Sequence, residues 1–249
     1  VNKEAGWTSH DLVAKIRHIL GGVKVGHAGT LDPAATGVLA VLVGRGTRIA
    51  EYLVEWDKEY RAVLGLGETT DTQDATGVLV TQQGTDHVTP SAIQEAVARF
   101  RGAIEQVPPM YSAVKVAGVP LYRSARAGKT IARQARTVTI HSLDVLEIDG
   151  PNVTLRVVCS KGTYVRTLCA DIGAALEVGG HLVELERTRV GPLTLDQAST
   201  VDEVAAHCAL GDLGENLISL DRALGEFPAV VVDGSAVERV GHGGPIQLA

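Results

Sequence analysis

The stretch Gly26-His27-Ala28-Gly29-Thr30-Leu31-Asp32-Pro33-Ala34-Ala35-Thr36-Gly37 constrains this chain more than any other. Its glycines permit turns and a close backbone approach that a Cβ would block, which suits a loop lining a pocket. Asp32 is the only acidic side chain between residues 12 and 50. It is set against Lys15, Arg17, Lys24, Arg45 and Arg48, for a segment charge of +4. A second reading is a helix N-cap, since Asp-Pro is a favoured Ncap–N1 pair. Gly37 follows after barely one turn, however, and Val38–Val43 then reads as a buried strand. A cap on so short a helix explains little.

A chain of 249 residues with 45% hydrophobic content can bury the core of one large domain, or of a domain with a small module. Cys159, Cys169 and Cys208 form neither a C-x-x-C pair nor a disulfide framework, so a reducing, cytoplasmic setting without a zinc site is expected. No apolar run reaches the roughly 18–20 residues that span a bilayer, and the start does not resemble a secretion signal, so a soluble protein is expected. The first residue is Val1 rather than Met, which points to a missing upstream piece or an unusual start codon. The net charge of −6 at first argues against a nucleic-acid partner, but its distribution argues for one. Residues 99–141 hold Arg99, Arg101, Lys115, Arg123, Arg126, Lys129, Arg133 and Arg136 against Glu105 alone, a net of +7. Under salt screening of about 8–10 Å the local charge decides, so such a segment can bind phosphates.

Along the chain, Ser9 is expected to cap a helix whose apolar face is Leu12, Val13, Ile16, Ile19 and Leu20, ended by Gly21-Gly22. Thr47 is expected to cap a second helix through Trp56, and residues 57–67 read as a strand carrying Tyr60. Thr89-Pro90 opens another helix. Val153–Cys159 reads as a strand that turns through Ser160-Lys161-Gly162-Thr163-Tyr164 into a helix bearing Arg166 in its first turn. The helix dipole disfavours a cation there, so Arg166 should have a partner. The alternation of elements lacks the βαβ rhythm of a doubly wound sheet, and no G-x-G-x-x-G or Walker sequence is present.

The string Gly26–Leu39 resembles the signature of the TruB family of pseudouridine synthases, which convert uridine 55 of tRNA to pseudouridine. Further segments resemble the same family in the same order: Asn2–Ser9, the Lys58-Glu59-Tyr60 strand, Thr69–Gly77, Gln106–Gly128, Ser160–Leu168 and His181–Gly191. Asn2 and Glu4 depart from the usual aspartate and proline, and Glu186 stands where an arginine is common.

The resemblance implies an α/β fold of the α+β type, with a mixed, largely antiparallel sheet, flanking helices and a central RNA-binding cleft. It implies a catalytic domain over residues 1–225, an RNA-clamping insertion near 106–136, and over 226–249 the incomplete start of a C-terminal PUA-like RNA-binding module. Asp32 is the implied nucleophile on a flipped-out uridine, with Arg166 as its partner. Tyr60 and Leu185 would sandwich the base, and Tyr60 is also a candidate acceptor for the C5 proton. His27 would act on the RNA side, Tyr164 would line the pocket, and Lys161 and Arg126 would contact substrate. The isomerisation is redox-neutral and transfers no group away, so it needs no cofactor or metal. A monomer acting on the T-arm of tRNA, without an obligatory protein partner or a membrane, is expected. Three rivals share features with this reading: an RNA chaperone, a guide-RNA-dependent synthase, and an aspartate phosphotransferase. The last would want a second carboxylate, and none lies beside Asp32 in the sequence.

Overall fold

The structure is a computed structural model and describes residues 1–245. The chain opens with β1 (Asn2–Lys3) and α1 (Ser9–Ile19), followed by β2 (Val25–Ala28), β3 (Thr36–Val38), β4 (Ala40–Val43) and α2 (Ala50–Val54). Strand β5 (Lys58–Leu66) leads into the hairpin β6 (Glu68–Thr70) and β7 (Leu79–Gln82). After α3 (Pro90–Ala98) and β8 (Gly102–Gln106) comes an excursion holding β9 (Lys115–Val116), β10 (Val119–Pro120) and α4 (Leu121–Arg126). The long strands β11 (Arg136–Asp149) and β12 (Asn152–Cys159) precede α5 (Val165–Ala175), β13 (Gly180–Val190), β14 (Leu193–Thr194) and α6 (Val201–Leu210).

One sheet organises residues 1–211, in the order β1-β3-β13-β5-β12-β11-β8 with β14 on β13. All its pairings are antiparallel except β13 with β3. Alternation along the strands, broken by register shifts in β11 and β13, makes the sheet two-faced. Ala62, Leu64, Val153, Leu155 and Val157 enter one core with Leu168 and Ile172 of α5 and Ile93 and Val97 of α3. Each such large apolar side chain contributes about 1.5–3 kcal/mol by burial. The interleaved residues carry ion pairs instead, Arg156–Glu59 at 2.9 Å and Arg189–Glu59 at 3.5 Å, and Asp144 of β11 pairs at 3.4 Å with Arg101, just before β8. A smaller core unites α1 and β2 through Leu12, Val13, Ile16 and Val25. Strands β8 and β11 pair Gln106 opposite Arg136, so the chain leaves and rejoins the sheet at one rung.

Three local expectations are corrected. The cap of α1 is Thr8, in a reciprocal capping box with Asp11, and Ser9 turns inward. Residues 38–43 are not one strand: the ladder breaks at Leu39, and β3 and β4 join different sheets. The helix expected from Thr47 to Trp56 is a 3-10 segment, Gly44–Ile49, followed by the short α2. There the Thr47 hydroxyl bonds back to the Gly44 carbonyl at 2.9 Å, closing a tight turn instead of capping an α-helix.

Residues 212–245 form a separate unit with a 3-10 turn (Leu213–Asn216), α7 (Leu220–Ala223) and α8 (Gly234–Gly241). The expectation for 226–249 extends to residues 246–249, outside those described. Among the described residues no helix is long and apolar enough to cross a membrane.

Candidate active site

The Asp32 loop is not a helix cap: after a turn at Pro33-Ala34 the chain extends directly into β3. It is fastened from below by polar groups on distant segments. The Ser9 hydroxyl donates to the Leu31 carbonyl at 3.0 Å and accepts from the Leu31 amide at 2.9 Å. Lys3, 0% exposed, donates to the carbonyls of Glu4 and Trp7 at 2.9 Å and of Pro33 at 3.1 Å. Arg187, 1% exposed, donates to Val38 at 2.7 Å, Gly29 at 2.9 Å and Thr30 at 3.4 Å. These buried cations meet backbone carbonyls, which rigidifies the loop while leaving its one carboxylate free for another partner. Burial pushes Lys3 down to about 8, with Arg187 adding to the effect and Asp32 opposing it.

That partner is Arg166, the second residue of α5. Its Nε lies 2.9 Å from Asp32 Oδ2. Nη2 donates to the Tyr111 carbonyl at 2.8 Å and Nη1 to the Thr72 carbonyl at 3.2 Å, so the guanidinium is held on three sides. The Arg166 side chain is 5% exposed and that of Asp32 43%, which leaves the carboxylate open to the cleft while its partner is sealed behind it. A second carboxylate does lie near, against expectation: Asp74 Oδ2 is 3.7 Å from Arg166 Nη1. It comes from the turn after β6, far from Asp32 in sequence, and its Oδ1 accepts from the hydroxyls of Thr72 and Thr76. Burial pushes the Asp32 carboxyl above its ordinary value; Arg166 opposes that shift and the like charge of Asp74 adds to it.

The cleft above this pair is lined by Asp32, Asp74, Arg166 and the apolar side chains of Leu182, Val183 and Leu185. Asp32, Arg166 and Leu185 are thus brought together as the sequence reading implied. The other expected residues do not line this cleft. Tyr60 is buried in the main core, directly across β5 and β13 from Arg187. Burial pushes its phenol up, with the adjacent guanidinium opposing, so it is a protonated phenol at neutral pH. His27, on β2, is half-buried with Nδ1 unpartnered; burial first, and then Arg187, holds it below its ordinary value and therefore neutral. Tyr164 is the N-cap of α5, and burial raises its phenol. Lys161 is exposed and ion-paired with Glu55. Arg126, on α4, lies over the Tyr122 ring at 5.6 Å, a cation–π contact that stiffens the excursion.

Sequence reasoning missed Arg187, Asp74 and Gln106. Only the register of the folded sheet, which sets Arg187 opposite the core residue Tyr60, marks that arginine. Asp74 and Gln106 act through contacts made only by the folded chain, at carbonyls and a guanidinium that no local pattern marks.

Two family models match the chain. Residues 17–165 match the N-terminal domain of TruB family pseudouridylate synthase, and residues 166–225 match the tRNA pseudouridylate synthase B C-terminal domain. The chain is 46% identical over 259 residues to tRNA pseudouridine synthase B of Thermobifida fusca, covering 100% of this chain and 88% of that one. It is 50% identical over 244 residues to the protein of that name from Symbiobacterium thermophilum, covering 97% and 80%. Among solved structures it resembles a chain of a Cbf5-Nop10-Gar1 complex, with a TM-score of 0.77 and 33% identity. That match covers 97% of this chain and 65% of the longer one.

Proposed function

The chain belongs to the TruB family of pseudouridylate synthases, and from that premise we propose that it isomerises uridine 55 in the T loop of tRNA with Asp32 as the nucleophile. The reaction breaks the N1–C1′ bond, turns the uracil and joins C5 to C1′; N1 gains a proton and C5 loses one. Asp32 attacks either C1′ or C6 of the base in this reading. The observation that carries it is the Asp32–Arg166 contact at 2.9 Å, open on one side to an apolar-walled cleft. Arg166 favours the ionised carboxylate and fixes its direction.

The uridine must leave its stack at a cost of a few kcal/mol, offset by contacts in the cleft. Leu185 supplies an apolar face for the base, and Tyr60, packed in the core with Leu31 and Ala35 of the Asp32 loop, supports that loop from beneath and does not reach the base. The neutral His27 ring stacks where the base departed, and Tyr164 caps the helix that carries Arg166. Lys161 and Arg126 contact phosphates, and the 106–136 excursion clamps the T-arm. We assign residues 1–225 to the catalytic domain and 226–249 to the start of a further RNA-binding module. The protein acts as a cytoplasmic monomer without a cofactor or an obligatory partner.

The test is pseudouridine formation in an unmodified tRNA transcript by this protein alone, mapped to one nucleotide, with Asp32→Asn beside it. Product at uridine 55 from wild type and none from the variant is the expected result. Binding without product from either protein would overturn the reading in favour of a chaperone or a guide-dependent enzyme.

A further inference from the structure

Gln106 closes β8 with 2% of the residue exposed, and both ends of its amide engage one residue. Nε2 donates to the Tyr164 carbonyl at 3.1 Å, and Oε1 accepts from the Tyr164 amide at 3.0 Å. Tyr164 is the N-cap of α5 and makes no side-chain cap of its own. Its carbonyl also accepts a helical bond from the Leu168 amide at 3.0 Å. The Gln106 amide therefore fixes where α5 begins, and Arg166, two residues on, takes its register from that point.

A second strut returns from the excursion to the same arginine. Tyr111, five residues after Gln106, presents its carbonyl to Arg166 Nη2 at 2.8 Å. Gln106, Tyr111, Arg166 and Tyr164 form a closed circuit through two chain segments and two sets of hydrogen bonds. The root of the excursion cannot shift without moving the guanidinium that faces Asp32.

We propose that Gln106 is a positioning residue for the isomerisation, coupling the seating of the 106–136 excursion on RNA to the orientation of Arg166 toward Asp32. The inference rests on the function proposed above. Gln106 sets the rate of the chemical step and not the affinity for RNA, because it is 2% exposed and both ends of its amide face Tyr164. The amide presents a donor and an acceptor together to match a peptide's C=O and N–H. A glutamate keeps the acceptor but turns a second oxygen toward the Tyr164 carbonyl, and protonation restores the donor. A methionine keeps the bulk and leaves both backbone groups of Tyr164 without this partner.

The experiment is single-turnover pseudouridine formation on an unmodified tRNA transcript, with the Kd for the same transcript and thermal melting of each protein. Wild type, Gln106→Met, Gln106→Glu and Asp32→Asn are compared. Gln106→Met should slow the chemical step about 10- to 100-fold while Kd stays within about twofold. The rate of Gln106→Glu relative to wild type should rise as the pH falls from about 8 to about 6, as a carboxyl buried beside a carbonyl takes up its proton above the usual range. A rate unchanged in Gln106→Met, or a Kd that weakens in step with the rate, overturns the inference. Should Gln106→Met fail to fold, the glutamate variant decides, and a flat ratio across pH overturns it. Wild-type protein that makes no product overturns the proposed function and this inference together; wild-type product with either contrary variant result overturns the inference alone.

Discussion

Gly37 and Arg187 approach so closely that a Cβ on Gly37 would sit 2.2 Å from the Arg187 carbonyl oxygen. Their two strands, β3 and β13, pair in parallel at this point, and the Arg187 side chain reaches back to the carbonyls of Gly29, Thr30 and Val38. The loop that carries Asp32 is thereby gripped at both ends by one residue.

Gly37→Ala should lower unfolding stability by about 2–3 kcal/mol, because φ at this position is +99° and the added methyl meets backbone that cannot swing aside. Urea unfolding measures it. A variant as stable as wild type would show that the loop does not depend on this contact.

Arg166→Lys should cost about 100-fold or more in the single-turnover rate while tRNA binding is retained. A lysine can reach one of the three partners but cannot hold Asp32, Thr72 and Tyr111 together in one plane. Without the fixed guanidinium the Asp32 carboxyl moves further above its ordinary value, so the acid limb of the pH–rate profile should move to higher pH. An unmoved limb would show that the pair does not govern ionisation of the nucleophile.

Asp74→Asn should shift that acid limb the other way. Asp74 pushes the Asp32 carboxyl upward by like charge, so its removal lets Asp32 ionise at lower pH. The plateau should nonetheless fall about tenfold, because Arg166 loses the carboxylate that braces Nη1. A profile that rises on both counts would mean that Asp74 is only a hindrance.

Asp171, on α5, has its carboxyl pushed up to about 6 by burial. A raised folded-state pKa means that the associated stability is fully present below the unfolded value of 3.8 and is lost as the pH rises through about 6. Asp171→Asn should therefore stabilise the protein near neutral pH by about 1 kcal/mol, discounted because the group is only half-buried. Below 3.8 the two proteins should melt alike. A gain that persists in acid would point to packing instead of charge.

Much of the frame was legible in the sequence. Residues 57–67 and 153–159, which read as strands in the sequence, are β5 and β12 in the structure. The adverse dipole at the start of α5 demanded a partner for Arg166, and Asp32 meets it. What escaped was the set of contacts to backbone. Ser9 and Thr8 are equally good caps by residue type, and only the approach of Leu31 turns Ser9 inward. Arg187 and Gln106 bond carbonyls and amides, which every residue possesses, so no local signal distinguishes their partners.

The rung at which Gln106 faces Arg136 has a longer consequence. Because the ends of the excursion are already held together, the entropy of closing it depends only weakly on its length, by about 0.6 kcal/mol per doubling. Beyond Tyr111, whose carbonyl holds Arg166, residues of the excursion can be lengthened, shortened or exchanged while the sheet beneath stays as it is. Such a joint lets the excursion, proposed above to clamp RNA, evolve at its own pace, and it marks where a foreign segment could be grafted to test that role.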